Sequence, residues 1–324
     1  MNKQKIVTLG GGTSLMLLTL REYAKDIDVS TIMAMADDGG STGRMRKAFD
    51  MPAFGGDFRD ALVLAENPEL AKIFLHRFEK ESELKGHSVG NLILLGLFEA
   101  TGGDIPQALD IAHKILRVRG KVYPSTTESI KLQCTYDDGT IIDSQTLIDN
   151  SRDMGGHHII DTKLIPSPKA YEKTIELIMQ ADKIVMGPDF YANTVANILV
   201  EGISDALQKS KGQKIFIINL MTKYNQTHGF TTTQFIEEFK KYSFYPDHVI
   251  VNNDLNPQGI NIDQYASEHR EMVKDDTKDN KNYNIIREKV RLEGTEFKRV
   301  SSDVVPRSFI RHDPQKLAEI IIGI

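Results

Sequence analysis

The chain holds a single cysteine, Cys134, among 324 residues, so an internal disulfide is impossible and a cysteine-rich zinc site is excluded. It also lacks an excess of positive charge. Forty basic against forty-five acidic side chains leave a formal charge of −5, which provides no field for gathering nucleic acid or anionic membrane, so any phosphate binding must be local. No run approaches the roughly eighteen apolar residues that a spanning helix requires. Lys3 and Lys5 are followed by only the short run Ile6 to Leu9 before the glycines, too little for the core of a secretion signal. Internal repeats and Pro- or Ser-rich linkers are missing, which argues against freely tethered domains. What is left, with 40% apolar and 26% charged residues, is an ordinary globular composition. The expectation is a cytoplasmic protein with no nucleic-acid partner and no membrane insertion.

The apolar pattern predicts a strand over 6–9, a glycine turn, and a helix over 15–25. A second apolar run over 30–36 stops at Asp37-Asp38-Gly39-Gly40, which fits a parallel βαβ unit. Helical periodicity over 57–118 predicts a helical layer or cap. A small β excursion over 121–165 follows, with Asp137-Asp138-Gly139 as a hairpin turn between 130–136 and 140–143. Helices over 169–181, 194–209 and 231–242 then alternate with strands over 183–186, 214–220 and 248–251. This alternation predicts a doubly wound α/β fold, one domain over 1–324, built on a mostly parallel sheet. The polar stretch 267–289 reads as a mobile surface insertion or frayed helix, and 313–322 as a last helix with Asp313 capping ahead of Pro314.

Chemistry-bearing residues collect where strands end. Gly10, Gly11, Gly12 and Thr13 expose backbone N–H groups ahead of a helix, which suits an anion or serves only as a tight turn. The run Asp37, Asp38, Gly39, Gly40, Ser41, Thr42, Gly43, Arg44, Met45, Arg46 ends the second predicted strand, on the edge where open α/β sheets bind ligands. Its acids can meet ribose hydroxyls or hold Mg²⁺ across phosphates, and Arg44 and Arg46 offer planar forks to phosphate oxygens. Gly56-Asp57-Phe58-Arg59 repeats the theme or simply caps a helix. In Gly86-His87-Ser88-Val89-Gly90-Asn91, Ser88 suits an N-cap, while His87 and Asn91 can read a ligand and His87 can act as acid or base. Two later strand exits add Gly187 and Pro188, and Asn219 and Thr222. His157-His158 reads as loop surface.

In order, these motifs resemble the YvcK-type branch of the YvcK/CofD family, the gluconeogenesis factors. The resemblance rests on Gly10 to Thr13, Ala36 to Arg46, Gly56 to Arg59 and Gly86 to Leu92. It continues through Tyr123-Pro124-Ser125-Thr126, Asn219-Leu220-Met221-Thr222 and Arg311-His312-Asp313-Pro314. It implies a Rossmann-like core and a nucleotide-type ligand at the loop cluster. YvcK-like members are associated with UDP-sugar binding, carbon flux, cell-wall synthesis and cell shape. The CofD branch transfers a 2-phospho-L-lactyl group to a deazaflavin with Mg²⁺. The chain departs from the pattern at Ser14, at Asp60, and at 187–194, where Gly-Pro-Asp-Phe-Tyr-Ala-Asn-Thr stands for the family's Gly-Pro-Gly-Ser-Leu-Tyr-Thr-Ser.

The leading expectation is a nucleotide-sugar-binding regulator, with Gly10 to Thr13 and Ser41 around phosphate. Asp37 and Asp38 would lie on ribose or Mg²⁺, and Arg44 and Arg46 would neutralise charge. The enzyme alternative is a Mg²⁺-dependent 2-phospho-L-lactate transferase-like activity, with Asp37, Asp38 and His87 as catalytic candidates. A third is an interaction protein with a vestigial pocket. Protein partners and a homo-oligomer stay open.

Overall fold

The computed structural model describes residues 3–10, 20, 23, 25–55, 58, 68–118, 120–150, 156–254, 268–278, 281–292 and 310–324. In chain order the first elements are β1 (Gln4–Leu9), β2 (Ile27–Met33), α1 (Gly40–Phe49), α2 (Pro68–Leu75), α3 (Val89–Ala100) and α4 (Ile105–Leu116). Next come β3 (Lys121–Pro124), β4 (Lys131–Tyr136), β5 (Ile141–Ile142), α5 (Gln145–Asn150), β6 (Ile159–Ile165), α6 (Glu172–Gln180) and β7 (Lys183–Met186). A π-helical turn, Phe190–Val195, runs into Ala196–Ile198. The remainder is α7 (Ile203–Lys209), β8 (Gln213–Ile217), α8 (Thr232–Lys241), β9 (His248–Asn252), β10 (Asn284–Glu288) and α9 (Pro314–Gly323).

Seven strands form one parallel sheet in the order β10-β9-β8-β7-β1-β2-β3, with helices on both sides. Both faces are covered, so the central strands need not alternate: all four residues of β7 are buried. The fold is Rossmann-like α/β. Ile6, Leu9, Ile32, Val185, Ile215, Ile217 and Val249 are fully enclosed and join one core. Strand β1 lies between β2 and β7, so the strand order reverses there, at the carboxyl ends from which the β1 and β7 loops leave.

Local signals explain most helix ends. Asp104 accepts from Gln107 N at 2.9 Å and starts α4, whose Ile105, Ala108, Leu109, Ala112 and Leu116 form its buried stripe. Thr231 and Gln234 make a reciprocal capping box at α8. Asp313 caps α9 at Lys316 N, 3.2 Å away, with Pro314 in its first turn. The far end of that helix is tied by a buried ammonium, Lys183 Nζ donating to Ile321 O at 2.8 Å and Ile322 O at 3.0 Å.

Several expectations change. Strand β2 begins at Ile27 and ends at Met33 rather than covering 30–36. The helix expected over 194–209 is broken, because at Glu201 the chain leaves the helix to pair with 168–170, Glu201 N on Pro168 O at 2.9 Å and Ala170 N on Glu201 O at 3.0 Å. The polar stretch 267–289 is not simply a surface insertion or frayed helix. Its end supplies β10, the edge strand of the main sheet, where Arg287 Nε meets Asp275 Oδ2 at 2.6 Å. The expected hairpin forms, with Gly139 N on Tyr136 O at 3.0 Å, but β6 adds to it and makes a three-stranded antiparallel sheet, β5-β4-β6. The helix expected over 15–25 lies largely outside the described residues. Among the described residues no helix is long and apolar enough to cross a membrane.

Candidate functional site at the carboxyl edge of the sheet

The loops leaving β1 and β7 touch through glycine. Gly10 has φ +123°, and a Cβ on it would come within 2.5 Å of Thr194 Oγ1 and 3.1 Å of Gly187 N. Gly187, at φ +84°, has no room on its other side, because a Cβ would reach Ile217 O at 2.6 Å. A side chain at Gly10 would push against the β7 exit, and one at Gly187 would push against the end of β8. Gly187 N also donates to Leu9 O at 3.2 Å, and the Gly187-Pro188 peptide is cis. Gly11, Gly12, Thr13, Ser14, Gly56, Asp57, Arg59 and Asp60 lie outside the described residues.

The loop after β2 is the second component. Asp37 Oδ1 accepts from Gly39 N at 2.9 Å, just ahead of α1, which starts at Gly40 with no side-chain cap. Asp38 Oδ1 accepts from Thr146 N at 2.9 Å, reaching into the first turn of α5. Burial pushes the Asp37 carboxyl above its ordinary value, and the Asp38 charge adds to this against the Gly39 N–H, the Thr42 hydroxyl and Arg46.

The start of α3 closes against that loop. Ser88 caps the helix, accepting from Asn91 N at 3.2 Å, as expected from its position. The buried Asn91 sends Nδ2 to Ser41 Oγ at 2.9 Å, and His87 Nδ1 lies 2.8 Å from the same oxygen. Burial, then the charges of Arg44 and Arg77, lowers the affinity of His87 for a proton, so a neutral imidazole faces the hydroxyl at neutral pH. Asn91 Oδ1 is buried and has no partner among the described residues.

The two arginines of the motif do different work. Arg46 donates to Asp37 O at 2.9 Å, Ile130 O at 2.7 Å and Ser129 Oγ at 3.3 Å, so its fork stitches the β2 loop to the segment entering β4. Arg44 is exposed and, among the described residues, donates once, to Lys85 O at 2.9 Å. Arg77, which the helical periodicity put on a helix outside the motifs, lies beyond the end of α2 and donates to Gly86 O at 2.9 Å, beside His87. Thr222 is buried and exchanges two bonds with Glu271, 2.8 Å from its N and 3.0 Å to its Oγ1, so it holds two loops together. Asn219 Oδ1 is buried without a partner among the described residues.

The β7 exit carries a cluster absent from the expectations. Asp189 sits at φ +78° and accepts from Lys223 Nζ at 2.8 Å and from Asn193 Nδ2 at 2.8 Å. Lys223 Nζ also reaches Asp149 Oδ1 at 3.1 Å, and Gln226 Nε2 donates to that oxygen at 2.9 Å. Burial works against the Asp189 carboxylate, but Lys223 and Asn193 outweigh it and hold the group below its ordinary value. Burial likewise opposes the Lys223 ammonium, and Asp149 and Asp189 more than offset it, raising its proton affinity. Helix α5 bridges the two halves, with Asp38 on Thr146 in its first turn and Lys223 on Asp149 in its last.

Thus Thr146, Asp149, Asn193, Lys223 and Gln226 were not singled out from the sequence. Of these, Asn193, within the departing stretch 187–194, and Lys223, next to Thr222 at a strand exit, stood where a signal was available. His157 places Nδ1 2.6 Å from Asp137 Oδ1 and Nε2 3.5 Å from Asp138 Oδ2 on the hairpin turn, while His158 stacks on His228 with ring centroids 4.0 Å apart.

The family model described as 2-phospho-L-lactate transferase CofD matches residues 6–291. The chain belongs to the CofD family. Among similar family members, a gluconeogenesis factor from Halalkalibacterium halodurans is 36% identical over 279 residues, covering 84% of each chain. The gluconeogenesis factor of Bacillus subtilis is 31% identical over 328 residues, covering 99% of this chain and 98% of its own. A solved protein of the UPF0052 family from Bacillus halodurans superposes with a TM-score of 0.84 at 32% identity, covering 99% of both chains.

Proposed function

We propose that the chain is a gluconeogenesis factor that binds a nucleotide sugar of the UDP type at this edge and regulates carbon flux or cell-wall synthesis, and through it cell shape. The observation that carries the reading is a continuous series of contacts joining the motif loops. His87 and Asn91 hold Ser41, Asp38 holds α5, Asp149 holds Lys223, Lys223 holds Asp189, and Gly187 abuts Gly10. The switch point of an open parallel sheet is where nucleotides sit. Arg44, with one partner among the described residues against two carbonyls and a hydroxyl for Arg46, is the guanidinium best suited to phosphate. Ser41 and Arg46 serve chiefly to shape the loop.

A second reading, a Mg²⁺-dependent transferase acting on a phosphorus-linked group, is favoured by the adjacent Asp37 and Asp38. Asp38 spends one oxygen on Thr146 N and keeps the other clear among the described residues. One or two carboxylates suit Mg²⁺ shared with a ligand's phosphates better than a cation caged by protein alone. When bound, the ion would neutralise charge on those phosphates, with Asp37 and Asp38 holding it and His87 and Asn91 orienting Ser41 alongside.

A thermal-shift panel tests both. A ligand at about one hundred times its dissociation constant adds roughly 2.7 kcal/mol to stability. Stabilisation by UDP-sugars without turnover supports the regulator; product formed with Mg²⁺ and a deazaflavin acceptor supports the transferase; silence across the panel sinks both and leaves an interaction protein with a vestigial pocket.

A further inference from the structure

The cluster at the β7 exit has a definite charge and a definite opening. Asp149 and Asp189 share one ammonium, and their neighbours Arg270 and Glu268 pair with each other at 3.2 Å. Two carboxylates and one lysine, beside the Glu268–Arg270 pair, leave the cluster one negative charge in excess among the described residues. The Asp189 carboxyl is held below its ordinary range by Lys223 despite burial, so that excess persists at neutral pH. The group is nonetheless open on one side: the side chains of Lys223, Asp149 and Asp189 keep 24%, 29% and 27% of their surface. Asp149 Oδ1 accepts both bonds given to that residue, from Lys223 and Gln226, while Oδ2 accepts none among the described residues. Lys223 has three protons and commits two. A free carboxylate oxygen beside a partly committed ammonium matches a hydroxyl, which both accepts and donates.

We propose that Asp149, Lys223 and Asp189 form a subsite that selects the charge of the ligand's terminal group, admitting a hydroxyl- or amine-bearing sugar and rejecting one that carries a carboxylate or phosphate. The inference rests on the nucleotide-sugar reading and adds to it the class of sugar. Helix α5 connects this cluster to Asp38 through a single turn of backbone, with Thr146 and Asp149 three residues apart. That is a rise of about 4.5 Å, the scale of a diphosphate-to-sugar step. An anion arriving there meets the excess negative charge, and Lys223 can offer it only the one proton that Asp149 and Asp189 leave uncommitted among the described residues.

The test is calorimetric titration of UDP-glucosamine, UDP-glucose and UDP-glucuronate, each affinity taken relative to that of UDP. These sugars differ at the terminal ring in carrying an amine, only hydroxyls, or a carboxylate. The wild-type chain is expected to bind UDP-glucose about tenfold or more tighter than UDP-glucuronate, with UDP-glucosamine at least equal to UDP-glucose. In Asp149→Asn the gap should shrink to about threefold or less, and Asp189→Asn, which keeps the shape of the side chain, should act in the same direction. Equal binding of UDP-glucose and UDP-glucuronate by the wild type, or a gap untouched in both folded variants, overturns the subsite. If UDP itself fails to bind, the nucleotide reading falls with it; if UDP binds and the ranking is flat, only the subsite falls.

Discussion

The two ends of the candidate site solve the burial of polar groups in opposite ways. At the β2 end, His87, Ser41 and Asn91 satisfy one another as neutral partners, and desolvation, with the Asp38 charge beside it, pushes Asp37 toward its protonated form. At the β7 end Asp149 and Asp189 clamp Lys223, which holds the Asp189 carboxylate ionised and is itself held protonated. A neutral network tolerates the loss of a member at modest cost. A charged one does not, because removing the single cation leaves two like charges facing each other.

The sharpest break of this contrast is Lys223→Met, expected to cost about 3 kcal/mol in urea unfolding; a loss under about 1 kcal/mol would mean that solvent already screens the pair. Next is Arg46→Ala. It strands Asp37 O and Ile130 O and should cost about 2 kcal/mol, with Arg46→Lys restoring little because one ammonium cannot span both carbonyls and Ser129.

Two carboxamide variants should then move in opposite directions by on the order of 1 kcal/mol each. Asp189→Asn should destabilise. A depressed folded value means that this stabilisation is complete above the ordinary carboxylate range, about 4, and is lost as pH falls through the folded value. Asp37→Asn should stabilise at pH 7. A raised folded value means that ionised Asp37 costs stability once pH passes that value, and the gain from Asn should fade as pH drops below the ordinary range. Denaturant midpoints from pH 3 to 7 check both, and parallel shifts of the two variants would erase the distinction. The smallest change in stability is expected for the exposed Arg44→Ala, within about 0.5 kcal/mol. Its affinity for UDP, read by the same titration, should fall about tenfold; unchanged affinity would move the phosphate away from α1.

Much of this was legible from the chain. The strand over 183–186 was placed at its observed bounds, α8 was expected over 231–242, α9 was announced by Asp313-Pro314, and Ser88 was found as a cap, because each signal acts over a few residues. The break at Glu201 was missed because its cause lies at 168–170, and β10 was missed because an edge strand with few apolar residues resembles a solvated loop. At the site, Arg44 and Arg46 looked equivalent two residues apart. Only their partners, Lys85 for one and Ser129 and Ile130 for the other, separate them.

By itself, the order of residues determined the alternation of strands and helices and the gathering of glycine and polar side chains where strands stop, since periodicity and capping are local forces. The tertiary structure decided which of those polar groups are consumed by the architecture and which remain open to a ligand. A hydrogen bond from Asp38 to Thr146 or from Lys223 to Asp189 spans 108 or 34 positions and exists only when the packed core has brought those strand ends together.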